Sequence, residues 1–314
     1  MLELLPRVET EDRTKYIGAS RVAAVLGVSP YQTPMGAWLD MMDPKPRQDT
    51  PATERGRFLE RGILDWGGHK LGADCVKYGD GIDKPGIAIP DAPWASVHPD
   101  GAYLHEGRWR LAEVKTSRVA SSWGESGTDQ IPDWYLCQVQ AQLAAVPDAE
   151  DAVVVAYLPV QDELRLMPVA RDEEFQRFML DAVGEWYYQH IVLGNAPALD
   201  ASDATKRYLS KKFVRESQPL RDATSTEVAA LQEWAKAREA LALAEQQEAL
   251  LKHTVQSMIG DAEGLRWDGG KATWKWQAGA ARWDTKALEA AHPELADQFK
   301  KRGDDLRVLR FAKK

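Results

Sequence analysis

The stretch WASVHPDGAYLHEGRWRLAEVKTS, Trp94 to Ser117, decides how this chain is read. Two extended segments rich in Trp, Tyr, Val and Leu flank a short polar turn. With Glu106 and Gly107 as the turn residues, His105 faces Arg108. Pairing outward from there brings Asp100 opposite Glu113. Facing residues of an antiparallel pair hold their Cβ atoms roughly 4.5–5.5 Å apart. Two carboxylates at that spacing repel unless a cation lies between them. Oxygen ligands suit a hard divalent ion, Mg²⁺ or Mn²⁺. Lys115 follows Glu113 by two residues, so strand periodicity places both on one face. A metal there would bind a scissile phosphate and a water, and Lys115 would orient or deprotonate that water or offset transition-state charge. The competing reading is a surface hairpin with a cross-strand ion pair.

The surrounding composition is that of an ordinary water-soluble chain. Of 314 residues, 44% are hydrophobic and 28% charged, enough for one large domain or a catalytic domain with an appendage. No apolar run approaches the roughly 18 residues that span a bilayer. The N-terminal residues carry acids where a signal peptide carries bases, so a cytoplasmic protein without membrane attachment is expected. Cys75 and Cys137 have no Cys or His at zinc spacing, and two thiols are too few for an iron–sulfur cluster. The formal net charge of −8 excludes a chain coated in positive charge but not a local basic channel.

Residues 17–30 read as a short helix with Ser20 as N-cap and Gly27 as stop. Residues 45–56 read as a polar loop. The helix that overlaps its end, 53–72, has Phe58, Leu59, Ile63, Leu64 and Trp66 on its apolar side. Residues 131–146 form another helix by three- and four-residue spacing, with Pro132 near its start. The continuous run 151–159 is a buried central strand, and 163–169 alternates as a partner. An amphipathic helix ends near Gly194. Residues 1–200 are thus a core, 201–223 a basic linker, and 224–314 a C-terminal extension. That extension opens with one long helix, from the Thr224–Glu227 capping box to Gly260, about 50 Å at 1.5 Å per residue. It has no sustained heptad, which favours a packed arm or helical hairpin over a coiled coil. The tail from Ala272 reads strand, helix, strand. In the linker, Lys206, Arg207, Lys211, Lys212 and Arg215 interleave with Tyr208 and Phe213, a pattern that could track a DNA backbone or simply face solvent.

Pro99-Asp100 followed by Glu113-x-Lys115 matches the PD-(D/E)xK nuclease signature. Three further segments resemble one branch of it, the YqaJ-like viral recombinase family, which includes phage lambda exonuclease. They are IGASRVAAVLGVSPYQTP (17–34), ERGRFLERGI (54–63) with its Gly-x-x-x-Glu pattern, and IPDWYLCQVQAQL (131–143) with its Tyr-x-x-Gln-Val-Gln pattern. Their order and spacing agree across roughly residues 13–180. The resemblance implies an α/β restriction-endonuclease-like core, a central mixed sheet flanked by helices, with a helical, small α+β extension. It implies Asp100, Glu113 and the Val114 backbone carbonyl as metal ligands for two Mg²⁺ ions, Lys115 as the catalytic lysine, and Glu60 as a further acid approaching the metals. Gln138 is placed beside the site, while Gln140 and Gln142 face solvent or the sheet. Arg13 and Ser20 match positions that hold a 5′-terminal phosphate, with Lys15 a competitor. The tryptophan usual before that arginine is absent.

The function so implied is a Mg²⁺-dependent DNA exonuclease, 5′→3′ on double-stranded ends, leaving 3′ single strands for an annealing protein. A ring-shaped homotrimer is the assembly the family offers. An endonuclease with the same core, nicking or branch-cutting, is the first alternative. A catalytically silent DNA-binding or scaffold protein is the second.

Overall fold

A computed structural model of the chain describes residues 16–44, 50–78, 86–213, 219–281, 283–301 and 309–310. The chain divides into two units, 1–213 and 214–314. In the first, β1 (Ile17–Gly18) leads into α1 (Ala19–Val25), α2 (Pro34–Met42) and α3 (Pro51–Leu71). Then come β2 (Asp74–Lys77), β3 (Ile87–Ile89), β4 (Ala92–Val97), β5 (Gly101–His105) and β6 (Arg108–Thr116). The unit continues through α4 (Asp133–Ala145), β7 (Ala149–Leu158), β8 (Glu163–Ala170), α5 (Glu173–Tyr187) and α6 (Asp203–Lys212). The central sheet has the order β2-β5-β6-β7-β8. Only the β6–β7 pair is parallel, joined by the α4 crossover, so the sheet is mixed and flanked by helices as expected.

β7 explains why the sheet is covered on both faces. Its Val153 and Val155 join Ile63 and Leu64 of α3, whereas Ala152, Val154 and Ala156 join Val139 and Leu143 of α4. Each of these Val, Ile and Leu side chains contributes about 1.5–3 kcal/mol relative to exposure. α3 approaches its face closely through a glycine pair: a Cβ on Gly67 would lie 2.5 Å from the Tyr103 hydroxyl. That hydroxyl donates to the Leu64 carbonyl at 2.8 Å.

The opening hairpin is three strands rather than two. β5 and β6 pair in the expected register, His105 opposite Arg108 and Gly101 opposite Ala112. Glu106 and Gly107 both take positive φ, 51° and 80°, as a two-residue type I′ turn requires. The first extended segment breaks at His98-Pro99-Asp100, and β4 joins a separate sheet of order β1-β4-β3. Proline lacks the N–H a continuing ladder needs.

Other boundaries also differ from expectation. Gly18, not Ser20, is the N-cap of α1. Residues 50–56 are not loop: the Thr50–Thr53 capping box and Pro51 start α3 there. Of the apolar side expected for α3, Ile63 and Leu64 are buried, but Phe58, Leu59 and Trp66 are exposed. The 201–223 linker holds α6, which belongs to the first unit. Ala204 packs with Met35, Trp38 and Leu39, and Tyr208 meets Trp38 edge-on. Asp200 receives Ser202 and Thr205 as hydrogen-bond donors at the start of α6.

The second unit opens with α7 (Ser225–Ile259), whose Thr224–Glu227 capping box and Gly260 stop agree with the sequence reading. β9 (Gly264–Trp267) and β10 (Gly270–Thr273) form a hairpin, then α8 (Thr285–Ala291) and α9 (Pro293–Phe299) follow. The tail therefore has a hairpin ahead of its helices, built on the Asp268-Gly269 turn. Its expected last strand lies largely outside the described residues. No helix among the described residues is long and apolar enough to cross a membrane. Both cysteines are free thiols, and burial pushes each up to about 11.

Candidate active site

On β6, Ala112 and Val114 belong to the α3 face. Strand alternation then turns Glu113 and Lys115 to the α4 face, alongside Leu111. Asp100 ends the β5 side of the same hairpin. Its Oδ2 accepts the Val114 N–H at 2.8 Å, replacing a backbone ladder bond. Tyr78 N–H donates to the Asp100 carbonyl at 3.1 Å, which fixes the residue from behind. Gly101 has no room for a side chain, because a Cβ there would lie 2.7 Å from the Val76 carbonyl oxygen. The Pro-Asp-Gly sequence thus aims one carboxylate at the edge of β6.

Glu113 is the centre of the cluster and is 3% exposed. Lys115 Nζ donates to its Oε1 at 2.6 Å, and Gln138 Nε2 donates to the same oxygen at 2.5 Å. Gln142 Nε2 donates to Oε2 at 2.7 Å. Burial and then the Asp100 charge push the Glu113 carboxyl up, against the pull of Lys115 and Gln142. For Lys115 burial acts downward, but Glu113 and then Asp100 outweigh it and hold the ammonium above its ordinary value. Lys115 is therefore a protonated donor, not a free base. Its flank is the Tyr135 ring, 4.9 Å from Nζ to centroid.

Gln138 is where the sequence placed it. Gln142 was assigned to solvent or the sheet and is instead 1% exposed on the carboxylate. The signal was available: Gln138 and Gln142 are four residues apart, one above the other on a helix face. Gln140 points elsewhere, donating to the Ala170 carbonyl and receiving Gln176 Nε2. Tyr135 was treated only as part of an apolar face, yet it is the aromatic neighbour of the lysine.

Glu60 is half-buried on α3, the helix on the Ala112–Val114 face of the sheet. Among the described residues no three acidic, His or Cys side chains form a metal cage. The expected trio of Asp100, Glu113 and Glu60 is thus not gathered, because α3 covers the face opposite Glu113. Ser20 is exposed in the first turn of α1, and Arg13 and Lys15 lie outside the described residues. In the basic stretch, Lys211 pairs with Asp43, and Arg207 approaches Asp40 at 3.9 Å. Part of its charge is therefore spent within the fold, and Arg215 lies outside the described residues.

The donor set fits a hard divalent cation. The Asp100 and Glu113 carboxylates would offer oxygen ligands, and the charges of both act on the Lys115 ammonium. Gln142 Oε1 is a buried acceptor with no hydrogen-bond partner among the described residues, suited to a water of a cation's shell.

The chain is similar to several known proteins. Residues 10–148 match the family model of the YqaJ-like viral recombinase domain. An uncharacterized protein, YqaJ of Bacillus subtilis, is 25% identical over 293 residues, 92% of this chain and 89% of its own length. An alkaline exonuclease from Laribacter hongkongensis, LHK-Exo, is 18% identical with a TM-score of 0.44, covering 58% of this chain and 93% of that one. A phage related exonuclease from Haemophilus somnus is 13% identical with a TM-score of 0.39, covering 57% of this chain and 96% of that one.

Proposed function

We propose that this chain, which carries a YqaJ-like viral recombinase domain, is a metal-dependent DNA exonuclease. The observation that supports the reading is the buried Glu113 carboxylate gripped by Lys115, Gln138 and Gln142, with the Asp100 carboxylate held on the next residue's N–H, that of Val114. Asp100, Glu113 and the Val114 carbonyl would hold Mg²⁺, or Mn²⁺ in its place, as one or two ions. Such an ion supplies Lewis-acid polarisation of the phosphate and a bound water of lowered pKa. Gln138 and Gln142 keep the Glu113 carboxylate ionised and aimed. Lys115, held protonated by the two carboxylates, donates to the attacking water or to the charge that develops on phosphate oxygens. The Tyr135 ring fixes the lysine's position.

The substrate is double-stranded DNA ends, degraded 5′→3′, with Arg13, Lys15 and Ser20 holding the terminal phosphate. The 3′ strands left behind serve a single-strand annealing protein, in the host cytoplasm of a phage or prophage. The family's sequence pattern supports these finer assignments.

The test is digestion of three substrates with Mg²⁺ or with EDTA: linear duplex labelled at the 5′ ends, the same duplex labelled at the 3′ ends, and a covalently closed circle. Early release of labelled mononucleotide from the 5′ label, with the circle intact, is expected. Cutting of the circle would make the protein an endonuclease. Absence of Mg²⁺-dependent hydrolysis of all three would end the nuclease reading.

A further inference from the structure

Beside Lys115 a row of aromatic rings runs outward to solvent, and beyond Tyr135 the phosphodiester chemistry does not use it. Trp123 stacks on Tyr135 at 5.5 Å between centroids. Trp134 lies 5.6 Å from Tyr135 on its other side. Tyr31 meets Trp134 edge-on at 6.0 Å. At the outer end Tyr31 is 76% exposed.

A single exposed tyrosine is common on protein surfaces. This one differs in being held. Pro30 restricts the chain before it, and its own N–H donates to Ser29 Oγ at 3.2 Å. Trp134 supports its ring edge-on. A rigid ring with an open face loses little conformational freedom on binding, which is how aromatic side chains serve as stacking platforms. Through Trp134 the row reaches Tyr135, whose ring lies 4.9 Å from the Lys115 ammonium.

We propose that Tyr31 is a stacking post for the nucleobase of a single-stranded nucleotide next to the phosphate engaged by Lys115. The inference deepens the nuclease reading and rests on it for the position of the phosphate. A base is the fitting occupant because the row is continuous with the lysine and carboxylates of the candidate active site. Stacking suits a nuclease without sequence preference, since every base presents a π face. The duplex end would be unpaired at the site, with one base docked on Tyr31.

The test uses the full chain in EDTA, so that binding is read without cleavage. The probe is a single-stranded oligonucleotide carrying 2-aminopurine at its 5′ end, and a second carrying it mid-strand. Wild type and Tyr31→Phe should quench at least one probe equally. Tyr31→Ala should lose the quench and bind about five- to 150-fold more weakly, the usual range for removing one stacked base. An abasic residue at the quenched position should weaken wild type and leave Tyr31→Ala unchanged. Absence of quenching by wild type, or equal quenching and affinity in Tyr31→Ala, would overturn the proposal. So would a Tyr31→Phe variant as weak as Tyr31→Ala, since that would assign the effect to the hydroxyl. Intact quenching with no Mg²⁺-dependent hydrolysis would refute the nuclease reading while leaving the stacking post standing.

Discussion

At the scale of single residues, the centre of this protein is a lysine acting as a counter-ion. Lys115 stands between two carboxylates and is itself mostly buried. Removing one partner of a buried pair leaves the other charge uncompensated, at a cost of about 3–5 kcal/mol. Lys115→Ala should therefore lose cleavage and, in EDTA, lose stability by that order. Mg²⁺ should restore much of the lost stability, because a cation can take the vacated charge position. Denaturant unfolding with and without Mg²⁺ measures this; an equal loss in both conditions would deny the shared cation position. Gln142 gives a second handle. Its donated bond lowers the Glu113 pKa, against burial, which raises it. Gln142→Leu should push the carboxyl further up, so the acid limb of the pH–rate profile moves to higher pH. A hydrogen bond to a charged group contributes about 1.5–3 kcal/mol, so the rate below the limb should drop about ten- to a hundredfold. An unmoved limb would show that Gln142 does not act through Glu113.

At the scale of elements, the start of α7 makes a pH prediction. Glu227 accepts from Arg221, from the Thr224 N–H and from the Thr224 hydroxyl, and is lowered to about 2, the Arg221 bond being the largest cause. Its folded value lies below its ordinary 4.5, so the cap's contribution is present above about 4.5 and is lost as pH falls toward 2. Acid titration followed by far-ultraviolet circular dichroism should show helix lost over that window. Glu227→Gln should flatten this component while leaving the neutral-pH spectrum nearly intact. An identical titration in the variant would remove the cap from the account. The same level shows why α3 and α4 are unlike neighbours of one sheet. α3 brings a Gly67-Gly68 surface that sinks onto Tyr103, whereas α4 brings a stripe of glutamines onto Glu113.

At the scale of the whole molecule, the two units differ in how much they bury. The three apolar clusters lie in the first unit, and among the described residues of the second the buried apolar residue is Ile259. Along α7, Leu241, Leu250 and Leu251 are each more than half exposed. A chain that leaves such residues in water has surface available for association. The trimer that the family resemblance implies gives a mass three times the chain's 35.1 kDa. Light scattering behind size exclusion, at several protein concentrations, checks it. A monomer mass at every concentration would exclude the ring.

The sequence by itself determined the hairpin turn and its register, the shared face of Glu113 and Lys115, and the capped long helix. These are local: a two-residue turn sets register, period two sets faces, and a capping box sets a helix start. The sequence reading failed where a residue's role depends on a distant element. Gln142 reads like any polar helix residue until the α4 crossover lays it over β6. Phe58 and Trp66 read as core because periodicity marks a face without saying whether anything covers it. Glu60 reads as a metal ligand by motif, yet the sheet stands between its helix and the Glu113 face. The stretch 201–223 reads as a linker from its charge, but Ala204 and Tyr208 bury against α2. Tertiary structure decided these points because burial and charge pairing are set by which elements meet, and that meeting is not encoded in the spacing of any one of them.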